Sequence, residues 1–366
     1  MDRIEELREL LQASGADALA VVPGPTLRYL TGQRFESSER FFLLLIPAAG
    51  RPCVVLPNLE EANWRAAVSF ETAVFTWDDT EGPVRALAEA GTEIPAVSRI
   101  AVEPLTMRVM EYELLRERFP RSALISADGI TDTMRLSKMP DEIAAMRKAI
   151  AISEEALEEV VSAVRLGDTE KRIASKLSAS LLEGGGEGIS FGPIVLSGPN
   201  SALPHGVPGD RPVQKGEFLL IDFGTSFDGY HADITRTFVV GGEPDEQTRT
   251  VYEAVRAGNA AGVAAGRPGV TADAVHHAAQ DGFSIPAFTK FSTHRTGHGL
   301  GLDIHEPPSI MDGNDEILTP GMVFTVEPGL YLEGWGGVRI EDNIVITESG
   351  ADVLTTYPRD LRIIGV

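Results

Sequence analysis

Apolar and polar residues in the first 133 positions follow helical spacing in some stretches and strand spacing in others. Residues 2–11 are amphipathic at helical spacing, and the apolar run at residues 18–22, which stops at Pro23 and Gly24, is typical of a buried strand. Further strands are predicted at residues 41–47, 52–56 and 99–102, and further helices at residues 59–67, 83–90 and 105–118. This alternation predicts a compact α/β domain over residues 1–133.

A longer region with a different pattern follows this domain. Apolar residues at helical spacing predict a long helix over residues 140–166, with Pro140 at its start and Gly167 just beyond its end. A second helix is predicted at residues 169–182. The glycine-rich residues 184–188 follow that helix instead of opening one and have no lysine nearby, so they predict a flexible loop and not a phosphate-binding site.

Short strands, Gly/Pro turns and two more helices, at residues 247–264 and 271–279, make up the rest of the chain. They predict an α+β domain over residues 134–366, with a curved antiparallel sheet and helices on its outer face. Two domains also agree with the length of 366 residues, which exceeds what one hydrophobic core usually covers.

An Asp-Gly pair at residues 228–229, between two apolar runs, predicts a β-hairpin with a two-residue type I′ turn. Such a turn pairs Phe227 with Tyr230, and counting outward from it places Thr235 opposite Asp222. Because the register of a hairpin follows from its turn, the pattern predicts which side chains share a face along the whole hairpin.

Two acidic residues on this hairpin are the first candidates for a metal site. Asp233 is two residues from Thr235, so it shares a face with Asp222 and lies diagonally across from it. The apolar residues around Asp222 and the lack of a nearby lysine make two neighbouring carboxylates costly unless a cation joins them. The hairpin therefore predicts a cation between Asp222 and Asp233.

Three more metal-capable side chains occur later in the chain. His298 lies between two glycines, which allow close backbone approach and leave the imidazole accessible. Glu327 and Glu341 each follow a β-branched residue of a predicted strand, and Pro-Gly at residues 328–329 ends the first of these strands. Four carboxylates and one imidazole form an oxygen-rich set that suits two divalent cations, whose charge offsets the repulsion. A two-metal hydrolase is the leading hypothesis.

The roles of three other side chains stay open on this pattern. His305 and His205 are each candidates for a further metal ligand or for a group that contacts the substrate. Arg339, predicted to share a strand face with Glu341, is suited either to pair with a ligand carboxylate or to receive an anionic group of the substrate. The remaining histidines are interpreted as structural or surface residues: His231, His276, His277 and His294.

Composition limits the partners and the cellular location. A net charge of −22 disfavours nucleic acids and anionic membrane surfaces, and the sequence has no basic run interleaved with aromatics that would override it. The apolar runs are far shorter than the roughly 20 residues that span a bilayer. The charged N-terminal residues lack a secretory signal, so a cytoplasmic location is expected. The single cysteine, Cys53, lies in an apolar run and is interpreted as a small buried hydrophobic residue.

Six segments together resemble the pita-bread metallopeptidases, specifically their Xaa-Pro branch of prolidases (Xaa-Pro dipeptidases) and Xaa-Pro aminopeptidases. The segments are residues 197–206, 221–224, 233–237, 297–306, 326–329 and 339–342. They occur in the order of the family, and the resemblance covers the chain from Lys138 onward. The α/β region before it is similar in layout to the creatinase-type N-terminal domain of the same branch.

The resemblance implies a role for each candidate residue. It places Asp222 on one metal, His298 and Glu327 on the other, and Asp233 and Glu341 between the two. A hydroxide shared by the metals is then the nucleophile, and Glu327 carries its proton to the leaving nitrogen. The same resemblance makes His205 and His305 catalytic and substrate-binding residues that polarise the scissile carbonyl or hold the substrate. Mn²⁺, Zn²⁺ and Co²⁺ are the expected ions, and the mostly oxygen ligands favour Mn²⁺.

The substrate class also comes from the resemblance, which implies cleavage before a proline at the second position of a small peptide. A dipeptidase is favoured over an aminopeptidase that accepts longer peptides, and a homodimer is expected. A methionine aminopeptidase would share the five ligands but not ordinarily so large an N-terminal domain. A non-catalytic peptide-binding module, or a creatinase-like hydrolase that needs no metal, predicts eroded ligands, whereas all five are present in this chain.

Overall fold

The computed structural model describes residues 3–94 and 96–365, which form two compact units that divide between Arg135 and Leu136. Residues 1, 2, 95 and 366 lie outside this description. The predicted domains contain all four of these residues, and the first predicted helix contains residue 2. Among the described residues, no helix has the length and apolar character that crossing a membrane requires.

The described residues of the first unit form six strands and six α-helices, which follow one another along the chain with one strand–strand succession. Its elements are α1 (Arg3–Ser14), β1 (Ala18–Val21), α2 (Pro25–Thr31), β2 (Leu43–Pro47), β3 (Cys53–Pro57), α3 (Glu61–Ala67), β4 (Ala73–Trp77), α4 (Val84–Glu93), β5 (Arg99–Val102), α5 (Val109–Arg118), β6 (Ala123–Ser126) and α6 (Asp128–Leu136), the last of which ends one residue beyond the division. The strands form one sheet in the order β4-β3-β2-β1-β5-β6, in which β2 runs antiparallel to both of its neighbours.

The α/β prediction for the first unit is confirmed, although four of its elements were not predicted. Strands β1, β2, β3 and β5 lie at the predicted apolar runs and are buried along their length, except at Arg99. The missed elements are α2, β4, β6 and α6. Strands β4 and β6 lie at the two edges of the sheet and are partly exposed, so they lack the continuous apolar run that marks a buried strand.

The second unit is a mixed α+β structure, and its described residues form four small sheets. Its elements are α7 (Pro140–Ala163), α8 (Glu170–Glu183), β7 (Gly188–Ile189), β8 (Ile194–Ser197), β9 (Phe218–Phe223), β10 (Thr225–Phe227), β11 (Tyr230–His231), β12 (Ile234–Val240), α9 (Glu246–Ala265), α10 (Ala272–Asp281), β13 (Gly297–Gly299), β14 (Glu306–Ile310), β15 (Val323–Val326), β16 (Gly329–Leu332), β17 (Gly336–Arg339), β18 (Asp342–Ile346), β19 (Ala351–Val353) and β20 (Ile363–Ile364). Every described strand pair in these sheets is antiparallel except β12 with β20.

The helices of this unit start where the sequence supplies a cap. Thr169 accepts a hydrogen bond from the backbone N–H of Arg172 at the start of α8, and Asp245 and Thr271 do the same for α9 and α10. Pro140 is the first residue of α7, a position at which its missing N–H has no intrahelical partner to lose. The helical prediction for residues 140–166 is therefore confirmed at its start, and α7 ends three residues earlier than predicted.

The predicted hairpin is confirmed in its register. Phe227 pairs with Tyr230, and Thr235 pairs with Asp222. Asp228 and Gly229 have φ values of 49° and 80°, the two positive values that a type I′ turn requires. The turn thus places Asp222 and the residues that precede β12 at one end of this part of the sheet.

Candidate metal centre

Asp222 and Asp233 come together at the end of strand β9. Asp222 is the fifth residue of β9, and Asp233 immediately precedes β12; the side chains of both are nearly buried. The Asp233 carboxyl lies beside those of Asp222 and Glu341. A Cβ atom at Gly224 would lie only 1.8 Å from the carbonyl oxygen of Ala232, so the close approach of the two segments requires glycine there.

His298 occupies the middle of β13, which runs between β14 and β15. A Cβ at Gly297 would lie 1.8 Å from the Thr325 carbonyl oxygen, and one at Gly299 would lie 2.0 Å from that of Pro307. The flanking glycines therefore let the strand fit between its neighbours. The Nδ1–H of His298 donates to the Gly299 carbonyl at 3.1 Å, which leaves Nε2 available as an acceptor or metal ligand.

The free nitrogen of His298 faces two carboxylates. Nε2 lies 3.5 Å from Oδ2 of Asp233 and 3.4 Å from Oε1 of Glu327. Glu327 directly follows β15, and its Oε1 accepts a hydrogen bond from the Thr325 hydroxyl at 3.2 Å. The predicted position of Glu327 at the end of a strand is confirmed.

Glu341 does not lie on a strand, and the predicted strand face shared with Arg339 is wrong. Strand β17 ends at Arg339 and β18 begins at Asp342, because β17 pairs with β16 whereas β18 pairs with β15. Glu341 lies where the chain passes from one sheet to the other. Its Oε2 accepts a hydrogen bond from the Thr235 hydroxyl at 2.7 Å, and its backbone N–H donates to the Thr235 carbonyl at 3.1 Å.

A residue of helix α9 is hydrogen-bonded to the backbone immediately before Glu327 and Glu341. The buried side-chain amide of Asn259 donates to the carbonyl of Val326 at 2.9 Å and to that of Ile340 at 3.3 Å. These two residues immediately precede Glu327 and Glu341. One amide group therefore links the two backbone segments that present these carboxylates.

The donor atoms fit divalent ions. One ligand atom each from Asp233, His298 and Glu341 lies within 4.8 Å of the others. Among the buried side-chain oxygens of the described residues, Oδ1 of Asp222, Oδ1 of Asp233 and Oε1 of Glu341 have no hydrogen-bond partner. Buried carboxylate oxygens without partners are costly, and cations satisfy them.

The electrostatics of the cluster point the same way. Burial raises the pKa values of Asp233 and Glu341 well above their usual range, and the neighbouring carboxylates raise them further. Burial likewise raises the pKa of Glu327 to about 7. The protein matrix alone therefore opposes this concentration of negative charge, and dications reverse that effect.

A cavity of about 400 Å³ adjoins the cluster and brings together every site residue that the sequence predicted. It is lined by Asp222, Asp233, His298, Glu327, Glu341, His205, His305 and Arg339. Phe191, Ile194 and Ile304 add apolar surface to its wall. The ring of His305 meets that of His298 edge to face with centroids 4.3 Å apart, and His205 lies on the loop after β8; both His305 and His205 are exposed residues.

Arg339 is buried and engaged by protein groups at each part of its guanidinium. It donates to Oδ2 of Asp222, to the Thr235 hydroxyl at 3.1 Å and to the Tyr331 hydroxyl at 2.5 Å. Of the two roles that the sequence left open for Arg339, the structure thus shows the pairing with a candidate ligand carboxylate.

Two polar residues of the cavity wall were missed by the sequence reasoning. His294, interpreted as structural or surface, accepts at Nε2 from the Tyr331 hydroxyl at 2.7 Å and lines the cavity. Burial, together with the Arg339 charge, lowers the pKa of His294 to about 4, so it is neutral at pH 7. Arg295, next to it, is exposed and also lines the cavity, with one guanidinium nitrogen donating to the Ser309 hydroxyl at 3.1 Å. Their only sequence signal was proximity to His298.

Comparison with protein families gives two matches that together cover most of the chain. Residues 3–137 match the creatinase/prolidase N-terminal domain, and residues 144–348 match metallopeptidase family M24. The chain belongs to metallopeptidase family M24. The resemblance to pita-bread metallopeptidases and the predicted creatinase-type N-terminal domain are thereby confirmed, and membership of M24 implies that metal ions are bound.

Similar proteins lie on both sides of the dipeptidase–aminopeptidase division. The M24 chain is 35% identical to an Xaa-Pro dipeptidase of Lactobacillus helveticus over 99% of both chains. A prolidase structure from Thermococcus sibiricus matches with a TM-score of 0.93 and 34% identity, covering 99% of this chain and 98% of that one. An X-Pro aminopeptidase structure from Thermotoga maritima matches with a TM-score of 0.84 and 32% identity, covering 97% of this chain and 100% of that one.

Proposed function

We propose that this protein is a prolidase, a dinuclear metallopeptidase that hydrolyses the Xaa-Pro bond of dipeptides. The observation that carries the proposal is the convergence of Asp222, Asp233, His298, Glu327 and Glu341 on one cavity, with three buried carboxylate oxygens that lack partners. The names of the L. helveticus and T. sibiricus proteins, an Xaa-Pro dipeptidase and a prolidase, support the substrate class.

The proposed ligands divide between two ions. Asp222 would hold one ion, His298 and Glu327 the other, and Asp233 and Glu341, which approach each other, would bridge them. When bound, two divalent ions supply an activated water and positive charge beside the scissile carbonyl. Four carboxylates to one imidazole favour Mn²⁺ over Zn²⁺ or Co²⁺.

Glu327 is proposed to move the proton during hydrolysis. Its carboxyl lies at the cavity wall on a side chain that is 14% exposed, with Oε1 3.4 Å from Nε2 of His298, and it accepts from the Thr325 hydroxyl, which fixes its orientation. From that position it receives the proton of the attacking water and donates it to the proline nitrogen as the bond breaks. The proton that leaves the water is therefore the one that the proline nitrogen receives.

His205 and His305 are proposed to contact the substrate. Both line the cavity beside the ligand cluster, and the His305 ring is fixed by its edge-to-face contact with His298. Donation of an imidazole N–H to the scissile carbonyl would stabilise the negative charge that develops on its oxygen. Phe191, Ile194 and Ile304 exclude water and offer apolar surface to the proline ring.

Arg295 supports a preference for dipeptides. A dipeptide ends in a carboxylate next to its proline, whereas a longer peptide continues there as a neutral amide. Arg295 is exposed and places a guanidinium at the same cavity, where it is suited to a carboxylate group. Arg339, by contrast, donates its hydrogen bonds to protein groups. We therefore propose that it orients Asp222, and that it affects the substrate only through Asp222.

The test compares hydrolysis of Ala-Pro, Ala-Pro-amide and Ala-Pro-Ala with added Mn²⁺. The proposal predicts a clear preference for Ala-Pro, and it predicts that Arg295→Met raises KM for Ala-Pro while leaving Ala-Pro-amide almost unchanged. Asp233→Asn should abolish all three activities. Equal rates on the three substrates would favour the Xaa-Pro aminopeptidase alternative, for which the likeness to the T. maritima structure is the supporting observation. Full turnover by Asp233→Asn would contradict the bridging role.

A further inference from the structure

A single buried carboxylate holds both ends of the loop that carries His205. The loop runs from residue 197, at the end of β8, to residue 209, and we call it the His205 loop. Glu170 is the first residue of α8 and is completely buried. We propose that Glu170 is a positioning residue that places His205 at the cavity, an inference that rests on the role proposed for His205 above.

The hydrogen bonds divide between the two carboxylate oxygens and the two loop ends. Oε1 of Glu170 accepts from the Ser197 backbone N–H at 2.7 Å and from the Ser197 hydroxyl at 2.9 Å. Oε2 accepts from the Gly209 backbone N–H at 3.1 Å. The side-chain amide of Asn200 donates to both oxygens, at 3.1 and 3.2 Å. The first and last residues of the loop are therefore joined through one side chain.

The chemistry of these contacts requires a carboxylate. Each group that Glu170 faces in the loop is a donor, and an ionised carboxylate is a pure acceptor with room for all of them. A glutamine of the same shape would turn an N–H group toward at least one of these donors. Because charge-assisted hydrogen bonds in a buried site are stronger than neutral ones, loss of the charge weakens the remaining contacts as well.

Neighbouring contacts complete the closure of the loop. The backbone N–H of Glu170 donates to the Arg211 carbonyl at 3.1 Å, and that of Lys171 donates to the Gly209 carbonyl at 2.9 Å. The guanidinium of Arg211 donates to the Ser197 hydroxyl at 2.7 Å. The start of α8 and the chain that leaves the loop thus form one rigid base.

The loop contacts the metal-site scaffold at its middle. The Ser201 hydroxyl accepts from the backbone N–H of Gly337 in β17 at 2.8 Å, two residues before Arg339. By contrast, the exposed imidazole of His205 has no hydrogen-bond partner among the described residues. The position of His205 is therefore set by the loop on which it is carried, and the loop is set by Glu170.

The decisive experiment is a double-mutant cycle of Glu170→Gln and His205→Ala on Ala-Pro hydrolysis. If Glu170 acts through His205, each single variant lowers kcat/KM by about tenfold or more, since small misplacements near the reacting atoms are costly. The double variant is then no slower than His205→Ala alone. Glu183→Gln, an exposed position at the other end of α8, is the matched control and keeps the wild-type rate.

Backbone amide exchange supplies a readout that does not depend on activity. In Glu170→Gln, the amides of Ser197 and Gly209 should exchange faster with solvent, while bound metal per chain stays at the wild-type value. Should Glu170→Gln fold poorly, Asn200→Ala removes only one donor to the same carboxylate and is expected to produce a smaller change in the same direction.

The possible outcomes distinguish the positioning role of Glu170 from the proposed role of His205. Multiplicative losses in the double variant, or unchanged exchange at Ser197 and Gly209, would show that Glu170 contributes to general stability alone and would overturn the inference. A slow His205→Ala with a fully active Glu170→Gln would overturn the inference and leave the proposed function standing. A fully active His205→Ala would overturn the proposed role of His205, and the inference with it.

Discussion

The rings of His298 and His305 lie edge to face with centroids 4.3 Å apart, although six residues separate them in the chain. In the intervening turn, the backbone N–H of Asp303 donates to Oε2 of Glu306 at 3.4 Å, and the Glu306 carboxylate pairs with the Lys138 ammonium group. The side chains of Lys138 and Glu306 are only 2% and 5% exposed. This ion pair is therefore a buried support for the histidine pair.

Lys138→Met is expected to destabilise the protein by about 3–5 kcal/mol, because it removes the cation from a buried carboxylate. Lys138→Met combined with Glu306→Gln should recover part of that loss. Urea unfolding of the metal-loaded protein measures both. The control is Arg147→Met, which breaks the exposed pair with Asp352 and should cost at most about 1 kcal/mol. If Lys138→Met and Arg147→Met lowered the free energy of unfolding equally, the supporting role of the Lys138–Glu306 pair would be contradicted.

Removal of the metals is expected to lower the melting temperature and to abolish activity, with both restored by Mn²⁺. At the proposed site, metals would bind the folded protein and relieve the repulsion among the four carboxylates, and a ligand at a hundredfold excess over its Kd adds about 2.7 kcal/mol to the folded state. Calorimetry with and without a chelator measures the shift. Asp233→Asn should melt at nearly the same temperature in both conditions. An unchanged melting temperature of the chelated wild-type protein would argue against a metal site at this cluster.

Arg339→Lys is expected to weaken metal binding by about 10–100-fold, the usual effect of losing an outer partner of a ligand. A lysine ammonium cannot keep the contacts with Asp222, Thr235 and Tyr331 that the planar guanidinium makes. Titration of the metal-free variant with Mn²⁺ gives the affinity. Arg249→Lys, at an exposed pair with Glu243, should bind Mn²⁺ like the wild-type protein. Identical affinities for all three proteins would exclude a supporting role for Arg339.

Cys53 is expected to be almost inert to thiol reagents at pH 8 in the folded protein. Burial raises the pKa of its thiol to about 11, so pH 8 lies well below the pKa and little reactive thiolate is present. Unfolding in urea returns the pKa to its ordinary range and exposes the sulfur, which should raise the rate by roughly a hundredfold or more. Rapid modification of the native protein would contradict the interpretation of Cys53 as a buried hydrophobic residue, which the structure confirms.

The hairpin illustrates which part of the site could be predicted from the residues alone. A two-residue turn at Asp228 determines the pairing of every later residue, so the position of Asp222 opposite Thr235 followed by counting. No such local rule connects His298 in β13, Glu327 just after β15 and Glu341 between β17 and β18. Their convergence is predicted from their metal-binding chemistry and charge balance and from the family resemblance, and not from spacing, because contacts between sheets depend on packing that spacing does not encode.

The residues that the sequence reasoning missed share this cause. His294 is positioned by its hydrogen bond with the Tyr331 hydroxyl, which in turn accepts from Arg339. Its role therefore depends on a series of tertiary contacts. Glu341 was assigned to a strand because Ile340 is β-branched, but the exchange of sheets between β17 and β18 overrides that local preference. The domain boundary between residues 133 and 134 stays a prediction.

The side-chain amide of Asn259 links the two backbone segments that carry Glu327 and Glu341 in the candidate metal centre. Since the same group restrains the carbonyls just ahead of Glu327 and Glu341, the separation of these two carboxylate-bearing segments is set by α9 whichever ion is present. At the proposed centre, replacement of Mn²⁺ by the smaller Zn²⁺ would then be accommodated by rotation of the glutamate side chains and not by movement of the backbone. Ion exchange at this centre should therefore leave the shape of the peptide cavity unchanged.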